Sequence, residues 1–368
     1  MATICLPSRR CSANLRRALL PSRSTIRQQC AMSNACKRTP IPVVPSAHSA
    51  ARNIRSPWTR GCKVREADRL ACQHPRRHFH VTRVCQQSTA AAPSSDKNSS
   101  GDIICSVTPS SNGEGRTVAT VTISNAARLN SLNSTLIDKL TSTLRSLASE
   151  PNLCCVVING AVSESKVPAF SSGANIFEMA TINNYNDAKD FISRLHGACQ
   201  AARDLPVVTI AQIHGLCFGG ALELAAACDF RYATHESSFS MPETKFGIPS
   251  VIEARLLANI VGWQRTKELV YLAKVYNAKE MEKWSLIDAS YEDTRQLQQE
   301  VDKVVELVAS NGPEAMRAQK RLVKLWEETN LAFGVRAGLD AFASMFSDGG
   351  TEPAKYMREF TERKHSKR

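Results

Sequence analysis

Two glutamates occupy surroundings where a carboxylate is unexpected. Glu223 lies in the segment Ala221 to Cys228, whose other residues are all small or apolar, and Glu243 follows in the loop Met241-Pro242-Glu243. Burial and mutual repulsion raise the pKa of at least one member of a carboxyl pair, so one can donate a proton while the other accepts one. The pair predicts acid–base chemistry in an apolar pocket. The simpler interpretations are a helix-dipole acid for Glu223 and a solvated loop carboxylate for Glu243.

A glycine pair precedes the first of these glutamates. Gly219 and Gly220 end a turn after the strand pattern at 207–213 and lead into the apolar helix. The first N–H groups of a helix have no partner within it, and glycine lets a ligand approach the backbone closely. Because Glu223 lies three residues after Gly220, we expect both to share one helix face. Taken alone, the glycines indicate only a tight turn.

The elements that must position these residues alternate between strand and helix. Strand patterns cover 117–124, 154–159, 207–213 and 229–233, and helical patterns cover 134–149, 179–204 and 221–228. This alternation predicts an α/β fold with right-handed crossovers. Beyond Pro249 only helical patterns stand out, and the last, 352–368, is amphipathic and charged. We expect this C-terminal region to pack on the core or on a neighbouring subunit.

Several motifs in order resemble one known family. The strongest lie between Val207 and Pro249, IHGLCFGGALELAAACDFRYA and then FSMPETKFGIP, and they resemble the crotonase (enoyl-CoA hydratase/isomerase) superfamily. NAARLNSLN, from Asn125, resembles the family's coenzyme A segment, and AFSSGANIFEM, from Ala169, resembles its first oxyanion loop. The resemblance implies a spiral of ββα units over 103–254 and a helical C-terminal region over 255–368 that serves oligomerisation and the coenzyme A pocket. A homotrimer or hexamer is implied.

The resemblance also assigns site residues. It makes the backbone N–H groups of Ala174 and Gly220 the oxyanion hole, and Glu223 and Glu243 the catalytic pair. The residues that it places on the acyl-CoA substrate are Arg128, Leu129, Ser172, Gly173, Gly219 and Lys364. Coenzyme A enters as part of the substrate, so we expect no separate cofactor and no metal.

The activity that the resemblance favours is hydration of the 2,3 double bond of an enoyl-CoA. An enoyl-CoA isomerase, which often keeps one carboxylate, and a branched-chain, methylglutaconyl-type hydratase are the alternatives. Two departures from the family bear on the substrate: Asn175 stands where many members have Asp, and Ser250 to Glu253 replace a Gly-rich stretch. We expect Glu253 at the surface; the alternative is a third carboxylate near the acyl pocket.

The basic charge of the chain is confined to its N-terminal arm. Residues 1–90 contain 17 Lys and Arg and two acids, so the other 278 residues carry −2 of the net +13. A non-enzymatic RNA-binding role needs a basic face, so we expect no nucleic-acid partner. The Arg- and Ser-rich arm predicts a mitochondrial (matrix) transit peptide, followed by a polar linker at 91–102. The alternative is a disordered tail that binds an acidic partner.

Two further signals are weak. The C-terminal Ser-Lys-Arg is close to the peroxisomal Ser-Lys-Leu signal, so peroxisomes are the alternative location. The N-terminal arm lacks the long apolar run of a membrane-spanning segment. The six cysteines after residue 90 show no metal-ligand spacing and are predicted to be small buried residues. Cys217 is a candidate nucleophile, but no base is visible beside it.

Overall fold

The computed structural model describes residues 101–112, 115–162 and 167–366, with side chains to residue 362. The predicted transit peptide over 1–90 therefore lies outside the described residues, as does nearly all of the linker. The strands are β1 (Asp102–Pro109), β2 (Thr117–Ser124), β3 (Leu153–Gly160), β4 (Ala169–Ser171), β5 (Val208–Ile213), β6 (Leu216–Phe218), β7 (Phe230–Thr234), β8 (Ser238–Ser240), β9 (Tyr276–Asn277) and β10 (Ala289–Tyr291).

Helices follow most of the strand pairs. They are α1 (Ser134–Leu147), α2 (Ile176–Met179), α3 (Tyr185–Asp204), α4 (Gly220–Ala226), α5 (Ala254–Ile260), α6 (Gly262–Leu272), α7 (Ala278–Lys283), α8 (Thr294–Ala309), α9 (Pro313–Glu328), α10 (Leu331–Ser344) and α11 (Thr351–Ser366). Two short 3-10 helices span Ala126–Arg128 and Glu243–Phe246.

The strands form two sheets that the chain visits in turn. One sheet has the order β1-β2-β3-β5-β7-β10 and the other β4-β6-β8-β9. Neighbours from β2 to β10 are parallel in the first sheet, as are β4, β6 and β8 in the second. Because β3, β5 and β7 are each followed by a strand of the second sheet, the chain repeats a ββ unit. This is the spiral that the resemblance implies.

Strand β3 shows why the larger sheet is covered on both faces. Val156 and Ile158 belong to the core on the side of α1, α3 and α4, whereas Cys155 and Val157 belong to the core on the side of α8. Successive residues of a strand alternate between faces, so an unbroken apolar run requires a layer on each side. The prediction of a strand buried on both faces is confirmed.

Three strands and one cysteine differ from the sequence prediction. Strand β1 is an edge strand with mostly exposed side chains, so it shows no apolar alternation to detect. Strands β9 and β10 have two and three residues, too few for a periodic pattern, yet β10 extends the first sheet within the region predicted as helical. Cys105 is exposed on β1, contrary to the prediction, and the other five cysteines after residue 100 are buried.

The last helices leave much apolar surface uncovered. Leu339 and Phe342 on α10 are each 69% exposed, and Phe346 and Phe360 are 44% and 61% exposed. Contiguous exposed apolar surface is typical of protein interfaces. It is consistent with the predicted trimer or hexamer, which stays a prediction. Within the described part of the chain, no helix is both long and apolar enough to cross a bilayer.

Helix α9 is held on the core by an ion pair with little solvent access. Lys320 Nζ lies 2.5 Å from Asp229 Oδ2, an oxygen that also accepts a hydrogen bond from the Thr209 N–H at 2.7 Å. The Lys320 side chain is 9% exposed and that of Asp229 is 25% exposed. The pair therefore joins α9 to the residue just before β7.

We expect Lys320→Met to lower the free energy of unfolding by about 2–4 kcal/mol, because it leaves a poorly solvated carboxylate without its cation. Urea denaturation gives the value. The matched control is Lys303→Met, which removes an exposed partner of Glu300 and should cost less than about 0.5 kcal/mol. Equal losses for the two variants would contradict the assigned role of the α9 pair.

Candidate active site

Glu223 is a buried carboxyl group in the first turn of α4. Every residue of this helix is buried, and Glu223 itself is 3% exposed. Its Oε1 accepts a hydrogen bond from the Ala254 N–H at 3.1 Å. Burial first, and then the charge of Glu243, raises the pKa of Glu223 to about 9, and the bond from Ala254 opposes this shift. Glu223 is therefore protonated at neutral pH.

Glu243 begins a short 3-10 helix and lies over the glycine turn. A Cβ atom added at Gly219 would lie 2.5 Å from Glu243 Oε1, so any larger residue would displace this carboxylate. Gly219 also has φ +53° and ψ −125°, which disfavours other residues. Oε2 accepts from the Ser250 hydroxyl at 2.9 Å. Burial raises the pKa of Glu243, and hydrogen bonds from its own backbone and from Ser250 oppose the shift.

The two predicted oxyanion donors come from adjacent loops. Gly220 is the first residue of α4, so its N–H has no acceptor within the helix. Gly173 O accepts from Leu132 N at 2.8 Å and Asn175 N donates to Leu132 O at 2.8 Å, so the N–H of Ala174, between them, points the other way. A Cβ atom added at Gly173 would lie 3.3 Å from Gly220 N. The loops thus meet at the predicted oxyanion hole.

A cavity of about 280 Å³ joins these groups. Ala174, Gly220, Glu223 and Glu243 all line it. Most of the remaining wall is apolar and comes from α2, α3 and the loop before α5: Ile176, Met179, Ala180, Phe191, Ile192, Leu195, Phe246, Ile248, Pro249 and Val251. The arrangement can hold a polar, proton-exchanging centre against an apolar chain.

The predicted coenzyme A residues are only partly brought together. Ser172 and Gly219 line the cavity, and Ser172 N donates to Leu129 O at 2.9 Å. Arg128 is exposed at the end of its 3-10 helix and is not part of the cavity lining. Lys364 belongs to α11, but its side chain lies outside the described part of the chain. The coenzyme A assignments therefore remain predictions.

Asn130 supports the first oxyanion loop, a role that the sequence reasoning missed. It is 1% exposed with φ +53°. Its Nδ2 donates to Ala161 O at 2.9 Å and to Ala169 O at 2.7 Å, and its backbone O accepts from Ser171 Oγ at 2.7 Å. The available signal was an asparagine within NAARLNSLN, since Asn tolerates left-handed backbone better than most residues.

Asn175, noted as a departure from the family, caps a helix. Its side chain accepts from Phe177 N at 3.0 Å and from Glu178 N at 3.3 Å, at the N-terminus of α2. An aspartate or an asparagine can serve as N-cap. Asn175 therefore has a structural reason to stand here, just after the predicted oxyanion donor Ala174.

The prediction for Glu253 was wrong. This residue is 5% exposed, and its Oε1 lies 2.8 Å from His196 Nδ1 on α3. The preceding Ile252 has φ +38°, an uncommon backbone conformation that the sequence did not indicate. A partner on α3 compensates for burying the carboxyl group, which sequence periodicity cannot show.

Cys217 is not placed to act as a nucleophile. It is fully buried in β6, and burial raises the pKa of its thiol strongly. Nucleophilic reactions of cysteine require the thiolate. Among the described residues no group of His, Cys, Asp and Glu side chains is arranged to hold a metal ion.

Comparisons with known proteins identify the family of this chain. A family model described as Enoyl-CoA hydratase/isomerase matches residues 113–367. The chain is 31% identical over 227 residues to "Methylglutaconyl-CoA hydratase, mitochondrial" of Homo sapiens, a match that covers 60% of this chain and 65% of that protein. It therefore spans slightly less than two thirds of the human relative. It is 27% identical over 235 residues to "Short-chain-enoyl-CoA hydratase" of Clostridium acetobutylicum, covering 64% and 87% of the two chains.

A solved structure of the same family has the same fold. The structure of an enoyl-CoA hydratase from Bacillus anthracis matches with a TM-score of 0.64 and 26% sequence identity. The match covers 70% of this chain and 96% of that one. It confirms the predicted α/β spiral, and the family match covers most of the chain. This protein belongs to the enoyl-CoA hydratase/isomerase family.

Proposed function

We propose that this protein is an enoyl-CoA hydratase that adds water across the 2,3 double bond of an enoyl-CoA thioester. The observation that carries the proposal is the meeting of two carboxyl groups and two backbone N–H donors in one cavity. An isomerase needs a single carboxyl group to move a proton. The addition of water needs two carboxyl groups, one that accepts a proton from water and one that donates a proton to C2.

The oxyanion hole would activate the substrate. When the thioester oxygen accepts hydrogen bonds from the N–H groups of Ala174 and Gly220, C3 becomes electrophilic and the enolate that develops is stabilised. These donors are part of the backbone, so they need no rearrangement during the reaction. Loss of one such donor typically slows an enzyme by about 10²–10³-fold.

The carboxyl pair would handle the protons. Together Glu223 and Glu243 hold one proton: the carboxylate accepts a proton from water as the oxygen attacks C3, and the carboxylic acid donates its proton to C2. The product gains one O–H group at C3 and one hydrogen at C2, and the pair again holds one proton. The two carboxyl groups titrate as a coupled pair, so the shared proton is assigned to the pair and not to one residue.

The apolar lining supports an apolar acyl chain as the substrate. Apart from Ser172 and the two glutamates, the groups that line the cavity are apolar side chains, Ala174 and glycines. A second candidate is a branched-chain hydratase, because the human relative is named Methylglutaconyl-CoA hydratase. Rates with crotonyl-, 2-octenoyl- and 3-methylglutaconyl-CoA separate the two, and we expect the straight-chain substrates to give the higher kcat/KM.

We propose a mitochondrial location. The charge and composition of residues 1–90 support it, and the human, rat and mouse relatives carry the word mitochondrial in their names. We expect a fluorescent reporter fused to residues 1–90 to enter mitochondria and to be shortened on import. A reporter that stayed in the cytosol would exclude this role. Peroxisomal import that needs Ser366 to Arg368 would support the alternative.

We expect Glu223→Gln and Glu243→Gln each to lower kcat of hydration by about 10²–10⁴-fold, because each amide keeps the shape of the side chain but cannot exchange the proton. Steady-state kinetics with crotonyl-CoA measure the loss, and circular dichroism checks the fold. The double variant should be little worse than either single variant, since both groups serve one transition state. Near-normal hydration by Glu223→Gln, with no activity in Glu243→Gln, would instead indicate a one-carboxylate isomerase.

The raised pKa of Glu223 predicts how activity and stability depend on pH. Hydration should decline as pH rises through about 9, because the pair then loses its proton. The native state retains this proton above the ordinary pKa of 4.5, where the unfolded state has lost it. The free energy of unfolding from this group should therefore fall as pH rises from 4.5 towards 9. Urea titrations of the wild type and Glu223→Gln test this, since the variant should show a shallower decline.

A further inference from the structure

The turn from Ser250 to Ala254 contacts both carboxyl groups of the site. Ser250 Oγ donates to Glu243 Oε2 at 2.9 Å at one end of the turn, and Ala254 N donates to Glu223 Oε1 at 3.1 Å at the other. Five consecutive residues thus supply one hydrogen-bond donor to each glutamate. A shift of this turn would move both acids relative to the oxyanion donors.

The backbone of the turn is strained. Ile252 has φ +38°, an uncommon value that is unfavourable for a β-branched side chain. Such a conformation costs roughly 1–3 kcal/mol and persists only where surrounding contacts hold it. The two residues that follow Ile252 are Glu253, whose side chain is buried, and Ala254, whose N–H donates to Glu223. Some contact must keep the turn in this shape.

The interaction between Glu253 and His196 is one such contact, and it joins the turn to another helix. Glu253 Oε1 lies 2.8 Å from His196 Nδ1, and the His196 side chain is about half exposed on α3. The Cys199 thiol is close to the carboxyl group, yet no described residue donates a hydrogen bond to Glu253 Oε2. Because burying a carboxyl group is costly, His196 ties the turn to α3.

We propose that the Glu253–His196 pair is a positioning device for the catalytic glutamates, holding the strained turn that binds both of them and setting a third carboxyl charge behind Glu223. This inference rests on the proposed hydratase function. It gives a reason for the departure of Ser250 to Glu253 from the Gly-rich stretch of the family. A glycine at position 253 would have no side chain to reach α3.

The charge of Glu253 acts on Glu223 as well. The ionisable groups near Glu253 are His196, Cys199 and Arg203 of α3 and Glu223 of α4, and Glu243 also acts on Glu223. Burial raises the pKa of Glu253, whereas His196 and Arg203 favour its charged form. When charged, Glu253 helps to keep Glu223 protonated. Removing that charge should therefore make Glu223 lose its proton at lower pH.

Two variants separate the charge from the anchor. Glu253→Gln keeps a hydrogen-bonding group for His196 but removes the charge, so the alkaline decline of kcat should move to lower pH by about 0.5–1 unit. His196→Ala removes the anchor, so kcat should fall by about 10–100-fold with little change in KM, the result of misplaced catalytic groups. Adding Glu253→Gln to His196→Ala should change kcat little further, since the pair acts as a unit.

The control is Lys320→Met, which breaks an ion pair elsewhere and should lower stability without moving the pH profile or kcat. If Glu253→Gln and His196→Ala behaved like this control, with lower thermal stability and an unchanged kcat and pH profile, Glu253 would be a purely structural residue and the proposal would be wrong.

A second measurement does not depend on turnover. In protein labelled with ¹³C at the glutamate carboxyl carbons, the NMR signal missing in Glu223→Gln identifies Glu223. Its titration midpoint should be lower in Glu253→Gln than in the wild type, and equal midpoints would overturn the proposal. If the wild type hydrated no enoyl-CoA and yet the midpoint shifted, the proposed function would fail while the coupling of Glu253 to Glu223 would stand.

Discussion

The central constraint on this structure is the burial of an acid in a helix that is otherwise apolar. Helix α4 packs into the core on all sides, and Glu223 is the only ionisable residue in it. A carboxyl group in this position must bind a proton or find donors, because desolvation disfavours its charge. It has one backbone donor, Ala254, and a second acid, Glu243, nearby. Its protonation at neutral pH is the consequence, and the proposed acid–base catalysis would use that proton.

Glycine and asparagine residues around Glu223 bring the second carboxyl group and the backbone N–H donors to the cavity. Gly219 leaves room for Glu243, and Gly173 brings the first oxyanion loop against the N-terminus of α4. Asn130 holds that loop with two hydrogen bonds: its side chain donates to Ala169 O, and its backbone oxygen accepts from the Ser171 hydroxyl. The bridge to Leu132 uses Gly173 O and Asn175 N and leaves the Ala174 N–H outside it, while the Gly220 N–H has no acceptor within α4. Preorganised donors of this kind stabilise charge without rearrangement, which is the usual source of catalytic power in acyl chemistry.

The turn at 250–254 carries the features most specific to this chain. It contains a strained isoleucine, a buried acid and one hydrogen-bond donor for each of Glu223 and Glu243. Strain of this kind tends to collect at functional sites, where surrounding contacts can maintain it. Family membership alone does not account for these residues, since the resemblance leads one to expect a Gly-rich stretch here.

The sequence alone was enough to predict an alternating α/β fold, its main strands and helices, the glutamate pair and the glycine turn, and its resemblance to the family implied the spiral. Local patterns carry this information. Strand β3 is a short apolar run whose side chains enter the cores on both faces of the sheet, and the residues of α4 other than Glu223 are small or apolar. Gly219 and Gly220 lie within one helical turn before Glu223. The sequence did not reveal strands β1, β9 and β10, because an exposed or very short strand has no periodic pattern. Only the tertiary structure placed Glu253 in the interior, since its partner His196 lies 57 residues earlier in the chain. Whether a charged residue can be buried depends on such distant partners, and no local pattern records them.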